Sequence, residues 1–283
     1  MNDIMLAPIL KWVGGKRQLL PTINPLLPKK ITTYVEPFLG GGAVLFDLQP
    51  KKAVINDFNE DLINVYRVVK ENPEELLILL EEHDRNNSEE YYYKIRSLDR
   101  LDIYTTMSDV EKASRIIYLN KTCFNGLFRV NQAGQFNSPY GKYKNPNIIN
   151  KPAILAMSKY FNSNNIKILN GDYKMALKNL RRGAFVYFDP PYVPISSSAS
   201  FTGYTENGFD EKDQRLLKKQ CDKLNDRGIK FLLSNSDHPL IREIYKDYEI
   251  ITVKARRSIN SKGNKRGEIN EVLVRNYEED KRK

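Results

Sequence analysis

Residues 32–48 read TTYVEPFLGGGAVLFDL, which predicts a short strand, a glycine turn at positions 40–42 and then a helix. Residues 51–73, KKAVINDFNEDLINVYRVVKENP, predict a second strand that ends near Asn56–Asp57 and a second helix. The apolar side chains at positions 62, 63, 66 and 69 are spaced to share one face of that helix. This order of strand, turn, helix, strand and helix is typical of a parallel α/β sheet.

The pattern changes between residues 71 and 164, where the chain is charged, aromatic and mostly helical in character. Ser108 and Glu111 form a capping box that predicts the start of a helix. Residues 123–146, rich in glycine, asparagine and aromatic side chains, predict a structured loop or hairpin. We interpret 71–164 as a domain inserted into an α/β domain made of residues 1–70 and 165–283.

The α/β alternation resumes after the insertion. Residues 165–180 predict a strand followed by a helix, and AFVYFDPPY at 184–192 predicts a strand that its prolines end. A helix is expected to stop at Gly228, with a strand directly after it. Two more strand-like runs, 248–257 and 267–277, flank a basic stretch.

Charge and composition limit the class of protein. The 283 residues carry a net charge of +10, which favours a polyanionic partner such as nucleic acid. Residues 254–267 contain six basic side chains and no acidic one. The two cysteines and two histidines form no zinc-site pattern, and we see neither a membrane-spanning stretch nor a secretion signal. We therefore expect a reduced, cytoplasmic protein.

The glycine turn and Asp57 together indicate a cofactor site. Glycines allow a ligand to approach the backbone closely, and a carboxylate at the end of the next strand is placed to accept hydrogen bonds from ribose hydroxyls. The turn is not the GxGxxG of dinucleotide enzymes. These residues predict a cofactor that contains adenosine, and they do not separate a nicotinamide cofactor from S-adenosylmethionine.

Asp189, Pro190, Pro191 and Tyr192 follow a predicted buried strand. The Asp189 carboxylate and the Pro190 carbonyl could both accept from one amino group, while Tyr192 offers a face on which a planar ring can stack. This arrangement suits adenine or cytosine. Two acceptors would localise the lone pair of the amine, which could then attack an activated methyl group with no metal and no covalent intermediate.

Six motifs in this order closely resemble the Dam-type adenine-N6 DNA methyltransferases, the alpha class of amino-methyltransferases, over nearly the whole chain. They are LKWVGGKRQLLP (10–21), VEPFLGGGAV (35–44), INDFNEDLINVY (55–66), FNGLFRVN with GQFNSPYGKYK (124–131 and 134–144), FDPPYVP (188–194) and KARRSINSKG (254–263). Within the family, the chain is most similar to enzymes that methylate the adenine of GATC, including restriction-system enzymes of the DpnII kind. The resemblance implies a Rossmann-like S-adenosylmethionine-dependent sheet, an inserted and mostly helical target-recognition domain at 71–164, and extrusion of the target adenine from the duplex.

The resemblance also implies roles for individual residues. Asp189, Pro190 and Tyr192 would be catalytic. The residues that would bind S-adenosylmethionine are Trp12, Lys16, Phe38, Gly40, Gly42, Asp57, Asp172 and Asp189. A polar loop from Ser196 to Phe209 would close over the site.

The inserted region would read the DNA sequence. By resemblance, Arg129 and Lys11 contact guanines, and Leu127 and Pro139 lie against a thymine methyl group. Phe124 matches a position that often holds an intercalating aromatic, although it lacks a tyrosine hydroxyl. The remaining residues expected to bind DNA are Asn125, Asn137, Arg256, Arg257 and Lys262. For Arg129 the alternative is a phosphate contact, and for the basic stretch it is a solvated hairpin tip.

Several alternatives stay open at this point. An RNA adenine methyltransferase shares the chemistry, whereas Asp189 argues against a cytosine-N4 enzyme and the basic charge argues against a protein glutamine methyltransferase. A DNA-binding module that has lost catalysis and a nicotinamide dehydrogenase each leave part of the pattern unexplained. The expected partner is double-stranded DNA, with single strands left open, and neither a membrane nor a metal is expected. A restriction endonuclease would be a functional partner that forms no stable complex.

Overall fold

The structure is a computed structural model that describes residues 6–194, 209–256 and 268–278. These residues form two compact units. The first comprises the described residues up to Gly15, together with Gly40–Gln49 and Asp57–Gly171. The second comprises Lys16–Leu39, Pro50–Asn56 and the described residues from Asp172 onward.

The described residues contain one sheet, which confirms the α/β prediction, but the sheet is mixed and not wholly parallel as the sequence pattern suggested. Its strands are β1 (Thr33–Glu36), β2 (Lys52–Asp57), β3 (Asn165–Asn170), β4 (Ala184–Phe188), β5 (Lys230–Ser236), β6 (Glu249–Arg256) and β7 (Glu268–Arg275), in the order β3-β2-β1-β4-β5-β7-β6. Strand β1 is parallel to β2 and β4, with Tyr34 opposite Ala53 and Phe185, and β4 is parallel to β5. Strand β7 runs antiparallel between β5 and β6. This strand order is the Rossmann-like α/β architecture that the resemblance implied.

Most helices belong to the first unit. They are α2 (Ala43–Leu48), α3 (Glu60–Glu71), α4 (Pro73–Arg85), α5 (Glu89–Ser97), α6 (Ile103–Thr106), α7 (Asp109–Thr122) and α8 (Lys151–Ser163). Helix α3 buries the predicted apolar face, and Asn59 caps it by accepting from the Leu62 N–H at 2.8 Å. The predicted capping box of α7 is present, with both the Ser108 and the Glu111 side chains engaged.

The second unit contains α1 (Leu20–Ile23), α9 (Glu211–Asp226) and α10 (Pro239–Ile244). Helix α9 ends as predicted, with Gly228 in the left-handed region at φ 63°. The helix expected after Asp172 is only a 3-10 helix, Tyr173–Leu177, because Lys178 is extended and Asn179 is left-handed at φ 59°. Sequence analysis did not predict α10, which starts with Pro239 at its first position.

Burial of the central strands explains their sequences. All five side chains of β4 are buried, which matches the continuous apolar run expected for a strand covered on both faces.

Among the helices of the described residues, we find none with the length and apolar character that a bilayer crossing requires.

Candidate active site and nucleic-acid interface

The glycine turn of the first unit is shaped by its neighbours. Gly40 and Gly42 both have positive φ, 50° and 68°, which a side chain would strain. A Cβ atom at Gly40 would lie 3.2 Å from the indole of Trp12, so that ring packs directly against the turn. The Trp12 ring also stacks on Phe128 with 4.8 Å between ring centroids. Trp12 and Gly40, both predicted to bind the cofactor, are therefore packed against each other.

Asp57 ties this turn to the end of β2. Its Oδ2 accepts from the Gly40 N–H at 2.9 Å, and its Oδ1 accepts from the Asn59 N–H at 2.9 Å. Burial raises the pKa of Asp57, and the backbone hydrogen bonds from Asn59 and Gly40 oppose that rise. Because a carboxylate has about four acceptor positions, both oxygens can still accept from a ligand.

The second unit contains a group of aromatic side chains around Phe38. Its ring stacks on Tyr173 at 5.1 Å and meets Phe209 edge-on at 5.8 Å. The Tyr173 hydroxyl is buried and makes no hydrogen bond within the described residues. Asp172 is exposed and caps the following 3-10 helix by accepting from the Lys174 N–H at 2.8 Å.

Asp189 follows the last residue of β4, at the carboxyl end of the strand where ligands bind in α/β sheets. Its Oδ1 lies 2.9 Å from the Nζ of Lys16, a lysine that is only 6% exposed. The same Nζ lies 4.8 Å from the ring centroid of Tyr192. Burial raises the pKa of Asp189 to about 6, while Lys16 opposes the rise by stabilising the carboxylate.

Buried polar side chains hold the Asp-Pro-Pro-Tyr corner. The Gln214 amide donates to the Pro191 carbonyl at 2.9 Å, and the Asn235 amide donates to Gln214 at 3.1 Å. On the far side of the corner, the Ser236 hydroxyl donates to the Val193 carbonyl at 2.8 Å. No described residue donates to the Pro190 carbonyl, so this oxygen can accept from a ligand.

The predicted DNA-reading residues meet in one irregular hairpin, residues 123–141, which has isolated bridges between Val130 and Phe136 and between Cys123 and Tyr140. The exposed Arg129 donates through Nε to the Asn137 side chain at 2.6 Å and through a terminal nitrogen to the Asn137 carbonyl at 3.1 Å. The Phe124 N–H donates to the carbonyl of the exposed Pro139 at 2.8 Å.

Other predicted contact residues also lie on or beside this hairpin. The Phe124 side chain is 56% exposed, and Asn125 is exposed in a left-handed turn at φ 60°. Leu127 is half-buried and Lys11 is exposed. Arg257, Lys262 and most of the loop 196–209 lie outside the described residues, as does the side chain of Arg256.

Residues 12–259 match the family model of D12 class N6 adenine-specific DNA methyltransferases. The chain belongs to this family. Its relatives include the type II methyltransferase M1.LlaDCHI of Lactococcus lactis subsp. cremoris, which is 51% identical over 98% of this chain and 97% of that protein. The type II methyltransferase M.MjaIII of Methanocaldococcus jannaschii is 44% identical over 96% of this chain and 99% of that protein. The DNA adenine methylase of Escherichia coli K12 is 35% identical over 94% of this chain and 93% of that protein.

Sequence analysis of this DNA adenine methyltransferase missed several supporting residues, among them Glu271 and Asn120. Glu271 on β7 accepts from the Tyr192 hydroxyl at 2.8 Å, and Asn120 near the end of α7 binds the backbone of Lys11 at 2.9 Å. Their partners lie 79 and 109 positions away in the sequence, so no local spacing reveals them. Each of the two is a polar residue within a buried apolar run, and this pattern was the signal that could have indicated a buried polar contact.

Proposed function

We propose that the enzyme transfers the methyl group of S-adenosylmethionine to N6 of an adenine extruded from duplex DNA, within GATC. Membership of the family supports the DNA adenine reaction. The observation that carries the proposal further is the corner at the end of β4, where the Asp189 carboxylate, the Pro190 carbonyl and the Tyr192 ring are held together by a buried polar network.

The residues around the glycine turn fit the cofactor. Asp57 has both oxygens oriented by backbone N–H groups and keeps acceptor capacity for two ribose hydroxyls. Gly40 offers backbone without a side chain beside the Trp12 ring. These are features that an adenosine-containing ligand requires.

The aromatic group in the second unit also fits. The stacked rings of Phe38 and Tyr173 offer apolar surface, and the buried Tyr173 hydroxyl lacks a partner among the described residues that a polar ligand edge would supply. On the resemblance of the motifs, we propose Trp12, Lys16, Phe38, Gly40, Gly42, Asp57, Asp172 and Asp189 as the residues that bind the cofactor. When bound, S-adenosylmethionine supplies an electrophilic methyl group.

Asp189 and Pro190 prepare the nucleophile. With a pKa of about 6, Asp189 is mostly ionised at neutral pH and can accept from the N6 amine together with the Pro190 carbonyl. The two acceptors localise the nitrogen lone pair. The N6–methyl bond forms as the sulfur–methyl bond breaks, and the amine proton leaves by way of Asp189.

Tyr192 holds the target base. Extrusion of an adenine costs a few kcal/mol, and stacking on an aromatic ring returns roughly 1–3 kcal/mol. The hydrogen bond from the Tyr192 hydroxyl to Glu271 fixes the ring that receives the base.

The target-recognition part is assigned to residues 71–164, and the GATC sequence is proposed from the resemblance of its motifs. Arg129 is oriented by Asn137, and a bidentate arginine is the commonest specific contact to guanine. The remaining proposed contacts are Lys11, Phe124, Asn125, Leu127, Asn137, Pro139, Arg256, Arg257 and Lys262.

A restriction endonuclease is the proposed functional counterpart. Two relatives carry the name type II methyltransferase and align over nearly their whole length. Methylation of N6 adds a group to the major-groove edge of adenine, where an endonuclease reads its site. We propose that the enzyme protects DNA in this way without forming a stable complex.

The test is methyl transfer from tritiated S-adenosylmethionine to a GATC duplex, followed by digestion with methylation-sensitive nucleases. Parallel reactions contain duplexes with one base pair changed, the GATC single strand and an RNA hairpin. Label on adenine of the GATC duplex alone supports the proposal. Equal label on every duplex contradicts the GATC assignment, and label on the RNA alone contradicts the DNA substrate.

A further inference from the structure

Asn120 joins two of the proposed base-reading elements. Its side-chain oxygen accepts from the Lys11 N–H at 2.9 Å, and its amide nitrogen donates to the Lys11 carbonyl at 2.9 Å. The same amide nitrogen donates to the Gly126 carbonyl at 3.1 Å. One side chain thus binds both polar backbone groups of Lys11 and the turn that carries Phe124 and Asn125.

Burial makes this junction rigid. Asn120 is 2% exposed, and the turn of α7 around it is packed with Leu119 at 0%. A buried amide that loses its partners pays a desolvation penalty, so the three hydrogen bonds are strongly favoured in the folded protein. Asn120 therefore acts as a fixed support rather than as a flexible surface group.

Lys11 also packs on the turn itself. A Cβ atom at Gly126 would lie 2.8 Å from the Cδ of Lys11 and 3.3 Å from the Asn120 carbonyl oxygen, and Gly126 has φ 63°. The aliphatic stem of Lys11, Gly126 and Asn120 form a compact group that we call the Lys11 junction. The stem of Lys11 packs on this junction, so the junction determines the direction in which the exposed amine points.

We propose that Asn120 is a specificity-determining positioning residue: it holds Lys11 in register with the Phe124–Gly126 turn, so that the two elements read the same DNA site. This inference rests on the proposed function, because it assumes that Lys11 contacts a base. Asn120 itself is buried and touches no DNA. It acts through the backbone of Lys11.

The experiment measures kcat/KM on the GATC duplex and on duplexes with one base pair changed. Asn120→Ala should lower discrimination at the base pair read by Lys11 by about tenfold or more, the size of effect expected from one base contact. The dissociation constant for S-adenosylmethionine should stay unchanged. Lys11→Met should lower discrimination at the same base pair.

A double-mutant cycle shows whether Asn120 acts through Lys11. In the Lys11→Met background, Asn120→Ala should cause little further loss, because the amine that it positions is gone. Additive losses in the double variant would overturn the inference, as would an Asn120→Ala enzyme with native discrimination.

Two further variants separate positioning from stability. Gly126→Ala disturbs the Lys11 junction at the turn, because its Cβ would lie 2.8 Å from the Cδ of Lys11, and it should reproduce the loss of discrimination even if Asn120→Ala does not fold. Leu119→Ala, a cavity variant on the same turn of α7, should destabilise the protein and keep native discrimination. A loss in Leu119→Ala equal to that in Asn120→Ala would refute the positioning role. A wild-type enzyme without activity on GATC would instead overturn the proposed function.

Discussion

Lys16 contacts Asp189 through an ion pair of 2.9 Å, and its ammonium also lies over the ring of Tyr192. The resemblance assigned Lys16 to the cofactor, and the structure adds a direct bond to the proposed acceptor of the N6 proton. The ion pair favours the ionised form of Asp189, which is the form able to take up the proton that the amine loses.

Replacement of this lysine should change the pH dependence of the reaction. The rate of the wild-type enzyme should fall below about pH 6, where Asp189 becomes protonated. Lys16→Met removes the charge that lowers the pKa of Asp189, so the acidic limb of kcat/KM should move toward neutral pH. The measurement is kcat/KM between pH 5 and 9.

Lys218 offers a matched control. It pairs with Asp222 at 2.7 Å and lies 5.0 Å from the ring centroid of Tyr248. Lys218→Met makes the same chemical change away from Asp189 and should leave the acidic limb in place. If both variants keep the wild-type profile, Lys16 does not tune Asp189.

Glu271 should matter through Tyr192. Glu271→Leu removes the acceptor of the Tyr192 hydroxyl, and an unsatisfied buried hydroxyl costs about 1–3 kcal/mol. We expect the single-turnover rate to fall about tenfold, with unchanged affinity for the cofactor, whereas Glu271→Gln keeps an acceptor oxygen and should lose less. In a Tyr192→Phe background, Glu271→Leu should cause little further loss in the single-turnover rate. If the two losses in rate are fully additive, Glu271 acts elsewhere.

Arg129 should determine sequence discrimination rather than general DNA affinity. Arg129→Lys keeps the positive charge and loses the bidentate geometry, so discrimination at one base pair should fall by roughly 5-fold to 150-fold. The salt dependence of binding should stay the same. Lys144 is also exposed and lies three residues after the hairpin, so Lys144→Ala removes one charge near Arg129 and should weaken binding to all duplexes equally. Uniform weakening by Arg129→Lys would assign that arginine to a phosphate.

His83 should make the stability of the first unit depend on pH. It contacts the Tyr91 and Ser114 hydroxyls, stacks on Tyr118, and burial lowers its pKa to about 4. The unfolded chain binds a proton near pH 6.5 and the folded chain does not, so stability present above pH 6.5 is lost as the pH falls toward 4. The loss in the free energy of unfolding is on the order of 3 kcal/mol.

Urea unfolding at several pH values measures this dependence. His83→Phe keeps a ring to stack on Tyr118 and removes the titrating group, so its free energy of unfolding should vary less between pH 6.5 and 4. If the free energy of unfolding falls equally with pH in the wild type and in the variant, other groups cause the pH dependence.

Much of the fold was predictable because its signals are local. The glycine turn, the buried face of α3, the capping box of α7 and the end of α9 at Gly228 each depend on residues a few positions apart. The helix expected after Asp172 is only a 3-10 helix, because it ends at an extended residue followed by a left-handed one, and the short helix α10 was not predicted.

The chemistry of the corner was also visible in the sequence, whereas its supports were not. Asp189 and Tyr192 stand together in one motif. Gln214, Asn235 and Glu271 come from α9, β5 and β7, and only the folded chain brings them to the corner. A polar residue within an apolar run marks such a position without indicating its partner.

The central claim is that Asp189 accepts a hydrogen bond from the target amine during methyl transfer. The most direct test is the single-turnover rate of Asp189→Ala on a GATC duplex, with the dissociation constants for DNA and for S-adenosylmethionine measured on the same preparation. The account predicts a loss of at least about a hundredfold in rate, with DNA binding largely intact. An Asp189→Ala enzyme that methylates adenine at a near-native rate would contradict it.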